Sequence, residues 1–356
     1  VTSVLRAYAS VAAYALLGVM AAPAARAAET SPIPVADYTV AQTWPLGGEG
    51  GWDYLALDAS GARLFVSRGD RVDVVETVSG KTAGTIAHTT GVHGIAFAPA
   101  HKRGFTSNGR ADTVSVFELD TLRVVQEVAV SGKKPDAILY EPRHDHIITA
   151  NGESSNLTVL DADTLKIAAT LPLPGPPEFM ATDAAGTVFV NIETDPGKLV
   201  AVDANSLAVK ATWPLTGCAN PTGLALDAAH HRLFSVCENQ VMTVTDSLSG
   251  KQITRIVIGK GPDAAAYDPD LGLVFSSNGI DGTLTVIRQE APDDYRVLAT
   301  VTTQTSARTM ALDPATHKIF LAAAKLGPAP APTEAQPHPR PSIVPNSFVI
   351  LVAQPK

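Results

Sequence analysis

A unit of about 42 residues recurs along this chain, and a tandem repeat of that length admits few folds. Seven segments open the units: WDYLALD, HGIAFAP, PDAILYEP, PEFMATD, PTGLALD, PDAAAYDP and ARTMALDP. Each is followed by a turn and a second apolar run, in the same order RLFVSR, RGFTSN, HIITAN, TVFVNI, RLFSVC, LVFSSN and KIFLAA. Third runs include NLTVLDAD, KLVAVDAN and QVMTVTDS, and fourth runs include KIAATLPL, AVKATWPL and KQITRIVI. Four short strands per unit at this period define the blade of a β-propeller. The chain is therefore expected to be all-β, with seven four-stranded blades forming one domain over residues 28–356.

Six units are complete between residues 52 and 301. The seventh has its first and second strands within 306–324 and a third in SFVILVAQ, with no fourth strand after it. YTVAQTWPL, in segment 37–46, is the candidate to complete it, so the last blade should be closed by both ends of the chain and leave no open sheet edge. An insertion in the seventh unit, LGPAPAPTEAQPHPRPSIVP (326–345), carries enough proline to oppose sheet pairing and to favour an extended loop. It leaves from the face that carries the candidate site and is read as a mobile cover or as an ornamental insertion.

In a propeller the first strand of each blade lines the central channel. Its start and the end of the antiparallel second strand lie at one face, so aligned residues there form two rings around one mouth. The first ring is Asp53, His93, Asp136, Glu178, Thr222, Asp263 and Arg308. The second is Arg68, Asn108, Asn151, Ile192, Cys237, Asn278 and Ala323, spaced 15 residues from the first in six blades and 14 in blade four. Carboxylates, a histidine and an arginine converging on one opening would perturb one another's pKa values, as functional sites do. Arg308 falls between Asp263 and Asp53 once the circle closes, placed to pair with either or to clamp an anionic group. His93, Asp136 and Glu178 occupy three successive blades. They suit a divalent cation, with the Asn108 and Asn151 carbonyls as further oxygen donors, or an acid–base site in which His93 moves a proton. Asn108, Asn151 and Asn278 each precede glycine, and Asn-Gly is also a turn signal in its own right.

Other features are set apart from the site. His101, His144, His146, His230, His231 and His317 fall in the turns between first and second strands, on the opposite face and over four blades, and are expected to be solvated turn residues. Asp58, Asp183, Asp227, Asp268 and Asp313 head such turns, where aspartate is common. No G-x-S-x-G, phosphate loop, C-x-x-C-H or H-E-x-x-H is present, so any chemistry must be assembled from separate blades.

The chain begins VTSVLR, continues with the apolar AYASVAAYALLGVM and reaches AAPAARA, whose Ala25 and Ala27 form a small-x-small signal. Residues 1–27 are read as a secretory signal peptide, and no later segment is apolar enough to span a bilayer. Its removal leaves 25 Lys and Arg against 35 Asp and Glu, a net charge of −10. Such a surface repels polyanions and disfavours nucleic acid as a partner. Export also makes a disulfide between the two cysteines, Cys218 and Cys237, the default.

The second-strand tetrads and the Asp-x-x-Thr/Ser turns between third and fourth strands resemble the YVTN-repeat β-propellers, the YncE-like exported proteins, over the whole chain after the leader. The resemblance implies the seven-bladed fold and export. It is weak for chemistry: DNA binding has been described in the group, and similar propellers include lactonases, lyases and cofactor-binding redox domains. The leading expectation is an exported binding protein, in the periplasm or secreted, that takes a small molecule or protein at the channel mouth. The alternative is a lactonase- or lyase-like enzyme using His93 and the ring carboxylates, with or without a divalent cation.

Overall fold

A computed structural model describes residues 37–331 and 341–356. The expected leader, 1–27, and the middle of the insertion, 332–340, lie outside the described residues, and so does any covering role for that loop. Among the described residues no helix is long and apolar enough to cross a membrane.

The described chain folds into seven four-stranded antiparallel sheets. In blade two the inner strand is Val92–Ala98, followed outward by Arg103–Asn108, Thr113–Glu118 and Val124–Ala129. Blade seven runs Thr309–Asp313, Lys318–Ala323 and Val349–Pro355, and its outermost strand is Tyr38–Pro45 from the other end of the chain. The closing pair keeps register from Tyr38 opposite Pro355 to Pro45 opposite Val349, with one irregularity between Val40 and Gln42. Tyr38 and Trp44 point inward. Tyr38 meets Phe275 of blade six edge-on at 5.0 Å, and Trp44 lies 5.6 Å from Phe320.

The core sits between neighbouring blades. The third residue of the second strand is phenylalanine in six blades (Phe65, Phe105, Phe189, Phe234, Phe275 and Phe320) and Ile148 in blade three, and all seven are buried. Phe275 and Leu284 of blade six, for instance, pack in one cluster with Ile319 and Leu321 of blade seven. Each buried aromatic contributes roughly 2 kcal/mol of transfer free energy, so the repeat at this position holds the circle together.

Five inner strands begin with a β-bulge, between Val92 and Ile95, Pro135 and Ile138, Pro177 and Met180, Pro221 and Leu224, and Pro262 and Ala264. Four of these open on proline, which has no N–H to donate and is tolerated at a strand's first residue. A bulge frees one residue from the ladder and re-aims its side chain. The freed residues include His93, Asp136, Glu178, Thr222 and Asp263.

The structure departs from the sequence expectation at two places. The insertion does pair at its base, where Leu326 bridges Ile343 and the Gly327 N–H donates to the Ser342 carbonyl at 2.8 Å. None of these positions is proline, so each keeps a backbone free to pair. Four of the six turn histidines are paired rather than simply solvated, while His231 is exposed as expected. His144, His230 and His317 lie 2.9, 2.7 and 2.8 Å from Glu141, Asp227 and Asp268, all buried acids, and His101 binds Asp145 at 2.7 Å. The disulfide is present: Cys218 and Cys237 are bonded, with 5.4 Å between their Cα atoms.

Candidate functional site

The first ring assembles at one mouth of the channel, and its members pair across blades. His93 Nδ1 lies 2.5 Å from Asp53 Oδ2 and 3.6 Å from Asp136 Oδ1. Arg308 donates from Nη1 to Asp263 and from Nη2 to Asp53 Oδ1, at 3.2 Å for the latter. Arg308 thus pairs with both neighbours between which it was expected to fall. Thr222 turns its hydroxyl to the Pro262 carbonyl at 3.2 Å and is buried, a structural member of the ring.

Backbone placement comes from the next residue inward on the second strand. The Ser107 hydroxyl donates to the Asp136 carbonyl and accepts from the Gly94 N–H at 2.8 Å. Ser67 accepts from the Asp53 N–H at 3.0 Å, Ser277 donates to the Arg308 carbonyl, and Asn191 Nδ2 donates to the Thr222 carbonyl at 2.8 Å. Sequence reasoning missed these residues. Their signal is a small polar side chain at the penultimate position of the second strand.

The second ring does not join the first. Asn108 is fully buried. Its Oδ1 accepts from Thr106 at 2.9 Å, and its Nδ2 donates to Thr113 and Ser115 at 3.1 and 2.8 Å. Asn151 and Asn278 repeat this arrangement with Thr149, Asn156 and Thr158, and with Ser276, Thr283 and Thr285. Each asparagine staples the second strand to the third. Arg68 is also buried, its guanidinium 3.7 Å from the centre of the Phe348 ring, and it donates to the Gly47 and Glu49 carbonyls. It ties the segment after the closing strand to blade one. Alternation explains the difference: side chains one residue apart on a strand face opposite ways.

Electrostatics divide the cup into two arcs. Burial alone would raise Asp53, but the hydrogen bond from His93 and the charge of Arg308 outweigh it and hold the carboxyl below its usual range. His93 is raised, because Asp53 and Asp136 more than offset its burial. Across the cup the balance reverses. Asp136 is pushed up to about 6, chiefly by burial, with Asp53 and Asp263 adding to it against His93 and the exposed Lys134. Glu178 is raised well above its usual value by burial and by Asp136 and Glu193. Glu193 is raised in turn by burial and by Glu238.

Glu193 and Glu238 follow the second strands of blades four and five, where the other blades carry glycine or alanine. Sequence reasoning overlooked them, though the break in the pattern marks them. It also overlooked the channel's plug. Tyr54 and Phe179, one position after Asp53 and Glu178, stack across the channel with ring centres 5.3 Å apart. A cavity of about 30 Å³ bordered by this pair, Glu178, Asp263 and Met310 lies beside it. Stacked aromatic rings under the ring carboxylates obstruct the channel there and give the cup a floor.

Among the described residues, one set of histidine and carboxylate side chains converges closely enough to share a cation: Asp53, His93 and Asp136, with ligand atoms within 4.8 Å of one another. The trio expected from the sequence had Glu178 in place of Asp53. A roomier hollow of about 750 Å³ lies along the outer strand of blade five, against Thr216, Gln252 and Arg255, away from these groups.

No known protein-family model matches the chain, and no curated protein matches it either. Solved structures do. One titled Kuenenia stuttgartiensis Hydrazine Synthase is similar at 16% identity with a TM-score of 0.69, over 76% of this chain and 92% of that one. One titled Structure of U3-55K is similar at 9% identity with a TM-score of 0.72, over 88% of this chain and 99% of that one. At such identities the likeness establishes the fold: the chain is a seven-bladed β-propeller.

Proposed function

We propose that this is an exported, YncE-like β-propeller binding protein whose ligand enters the acidic cup with a cationic group leading. The observation that carries this reading is the arc formed by Asp136, Glu178 and Glu193, whose carboxyls are all raised by burial and by neighbouring acids. Arg308 is already engaged by Asp263 and Asp53 on the other arc. An incoming positive charge would relieve the repulsion, and the aromatic floor offers it π faces. The disulfide and the sequence of residues 1–27 support export, to the periplasm or beyond the cell. The same acids oppose a phosphate backbone, so nucleic acid is not the partner favoured.

Thermal-shift titration with spermidine, choline and arginine, against gluconate and citrate, tests the reading. At least one cation should raise the melting temperature in a concentration-dependent way, and Asp136→Asn with Glu178→Gln should abolish that shift. A shift with the anions alone would overturn it.

A second reading is a lactonase- or lyase-like enzyme, and the Asp53–His93 contact favours it. A carboxylate on Nδ1 orients the imidazole and leaves Nε2 to carry a proton. Lactone turnover that is lost in His93→Gln would establish this reading in place of simple binding.

A further inference from the structure

We propose that Asp53, His93 and Asp136 form a site for one divalent transition-metal ion, such as Zn²⁺, at the wall of the cup. This deepens the reading of the cup as a cation site and rests on it. The three ligands come from three successive blades, and one nitrogen and two oxygen donors lie within 4.8 Å of one another. An imidazole beside two carboxylates selects against Ca²⁺ and Mg²⁺, which take oxygen ligands, and suits zinc, which accepts both donor types.

Asp136 supplies the independent observation. Its residue is only 8% exposed, and its Oδ1 is buried and accepts no hydrogen bond. A buried carboxylate oxygen with no hydrogen bond, and only the ion-pair contact to His93, is costly to keep, and a bound cation would satisfy it. The atom faces His93 Nδ1 at 3.6 Å. Two zinc ligands at about 2.1 Å in tetrahedral geometry stand roughly 3.4 Å apart, so the spacing is already close to what the ion needs. Asp53 Oδ2 is nearer, 2.5 Å from Nδ1, and would draw back by about 1 Å to admit the ion.

Neighbouring contacts hold the ligand-bearing residues in place, as outer contacts do at metal sites. Arg308 holds the other oxygen of Asp53 at 3.2 Å, which leaves Oδ2 to turn toward the ion. The Ser107 hydroxyl fixes the Asp136 carbonyl, and the Ser67 hydroxyl fixes the Asp53 N–H. Behind the imidazole, Gly109 allows close approach: a Cβ there would stand 2.8 Å from both Cδ2 and Nε2 of His93. Three protein ligands leave a fourth position for water or for a group of the bound ligand, which is the pattern of an open zinc site.

The test is calorimetric titration of Zn²⁺ into the purified protein after chelation, with Co²⁺ absorbance as a second readout. One ion should bind per chain. Asp136→Asn and His93→Gln should each weaken binding by at least about 10-fold and remove the Co²⁺ signal. His101→Gln, on the opposite face, should leave both unchanged. Absence of saturable binding at one ion per chain, affinity retained in both cup variants, or affinity lost in His101→Gln would overturn the proposal. Circular dichroism of each variant separates loss of the site from loss of the fold, and either cup variant alone suffices if the other fails to fold. Failure here with the spermidine, choline or arginine shift intact removes the metal and keeps the cationic cup. Zinc binding with no shift from any organic cation does the reverse.

Discussion

Glu178 is held well above its ordinary value of 4.5 by burial and by Asp136 and Glu193, which makes it an energetic burden that can be measured. Below that ordinary value the folded and unfolded chains both keep the proton. Above it the unfolded chain releases its proton while the folded chain retains it, so stability falls as pH rises, until the folded group ionises too. Glu178→Gln removes the ionisation and should raise the melting temperature at pH 7 by a few degrees, with the difference shrinking to nothing near pH 4. A variant less stable than the parent at pH 7 would show that the carboxylate is compensated in the fold. Single residues also show how far the sequence can be read. The polar first ring stood out because small and apolar residues surround it. The buried asparagines did not reveal their role, because an Asn-Gly pair looks the same whether it makes a turn or staples two strands. Gly109 illustrates this: the left-handed residue of its turn is Asp112, at φ 55°, while Gly109 itself leaves room for the His93 ring.

The bulged inner strand is the element on which the cup depends. Strand alternation alone would place a ring residue by its parity, and in five blades the irregular start re-aims it, while Asp53 and Arg308 lie just ahead of strands that pair without a bulge. Strand number, order and closure were legible from the period. The bulges were not, because an inner strand with an extra residue carries the same small and apolar residue types as one without. Proline before the ring residue in four of the five bulged strands is their only local trace. The disulfide acts on this element in blade five, joining the approach to Pro221–Asp227 with the end of Arg232–Cys237. It closes a loop with a sequence separation of 19. The chain-entropy account assigns such a loop about 3 kcal/mol. Cys218→Ala with Cys237→Ala should lower unfolding free energy by about that amount in denaturant titration, and reductant should destabilise the parent chain but not the variant. An unchanged midpoint would place the loop's order in its packing instead.

A closed propeller has no beginning, so its stability depends on the seam where the chain's ends meet. Here the seam is the strand Tyr38–Pro45 laid on Val349–Pro355. It supplies more than a hydrogen-bond ladder. Tyr38 and Trp44 are 5% and 8% exposed, and the Tyr38 hydroxyl donates to the His317 carbonyl at 2.9 Å. Each aromatic burial is worth roughly 2 kcal/mol, a large part of the margin by which a domain is stable. Arg68 and Arg71 then grip the Glu49 carbonyl and anchor the connection from the seam to blade one. A chain starting at residue 47 would lose the strand, both aromatic contacts and the cover over the edge of Val349–Pro355. An uncovered edge pairs with other chains. The truncated protein should therefore elute as aggregates or higher oligomers in size-exclusion chromatography. A synthetic peptide of residues 37–46 added during refolding should restore part of the monomer, because the ladder and the aromatic pockets remain to receive it. Tyr38→Ala in the intact chain should lower the melting temperature without aggregation, since the strand itself is kept. A monomeric truncated chain with the parent's melting temperature would show that six complete blades and a three-stranded seventh suffice, and that the seam governs neither solubility nor stability.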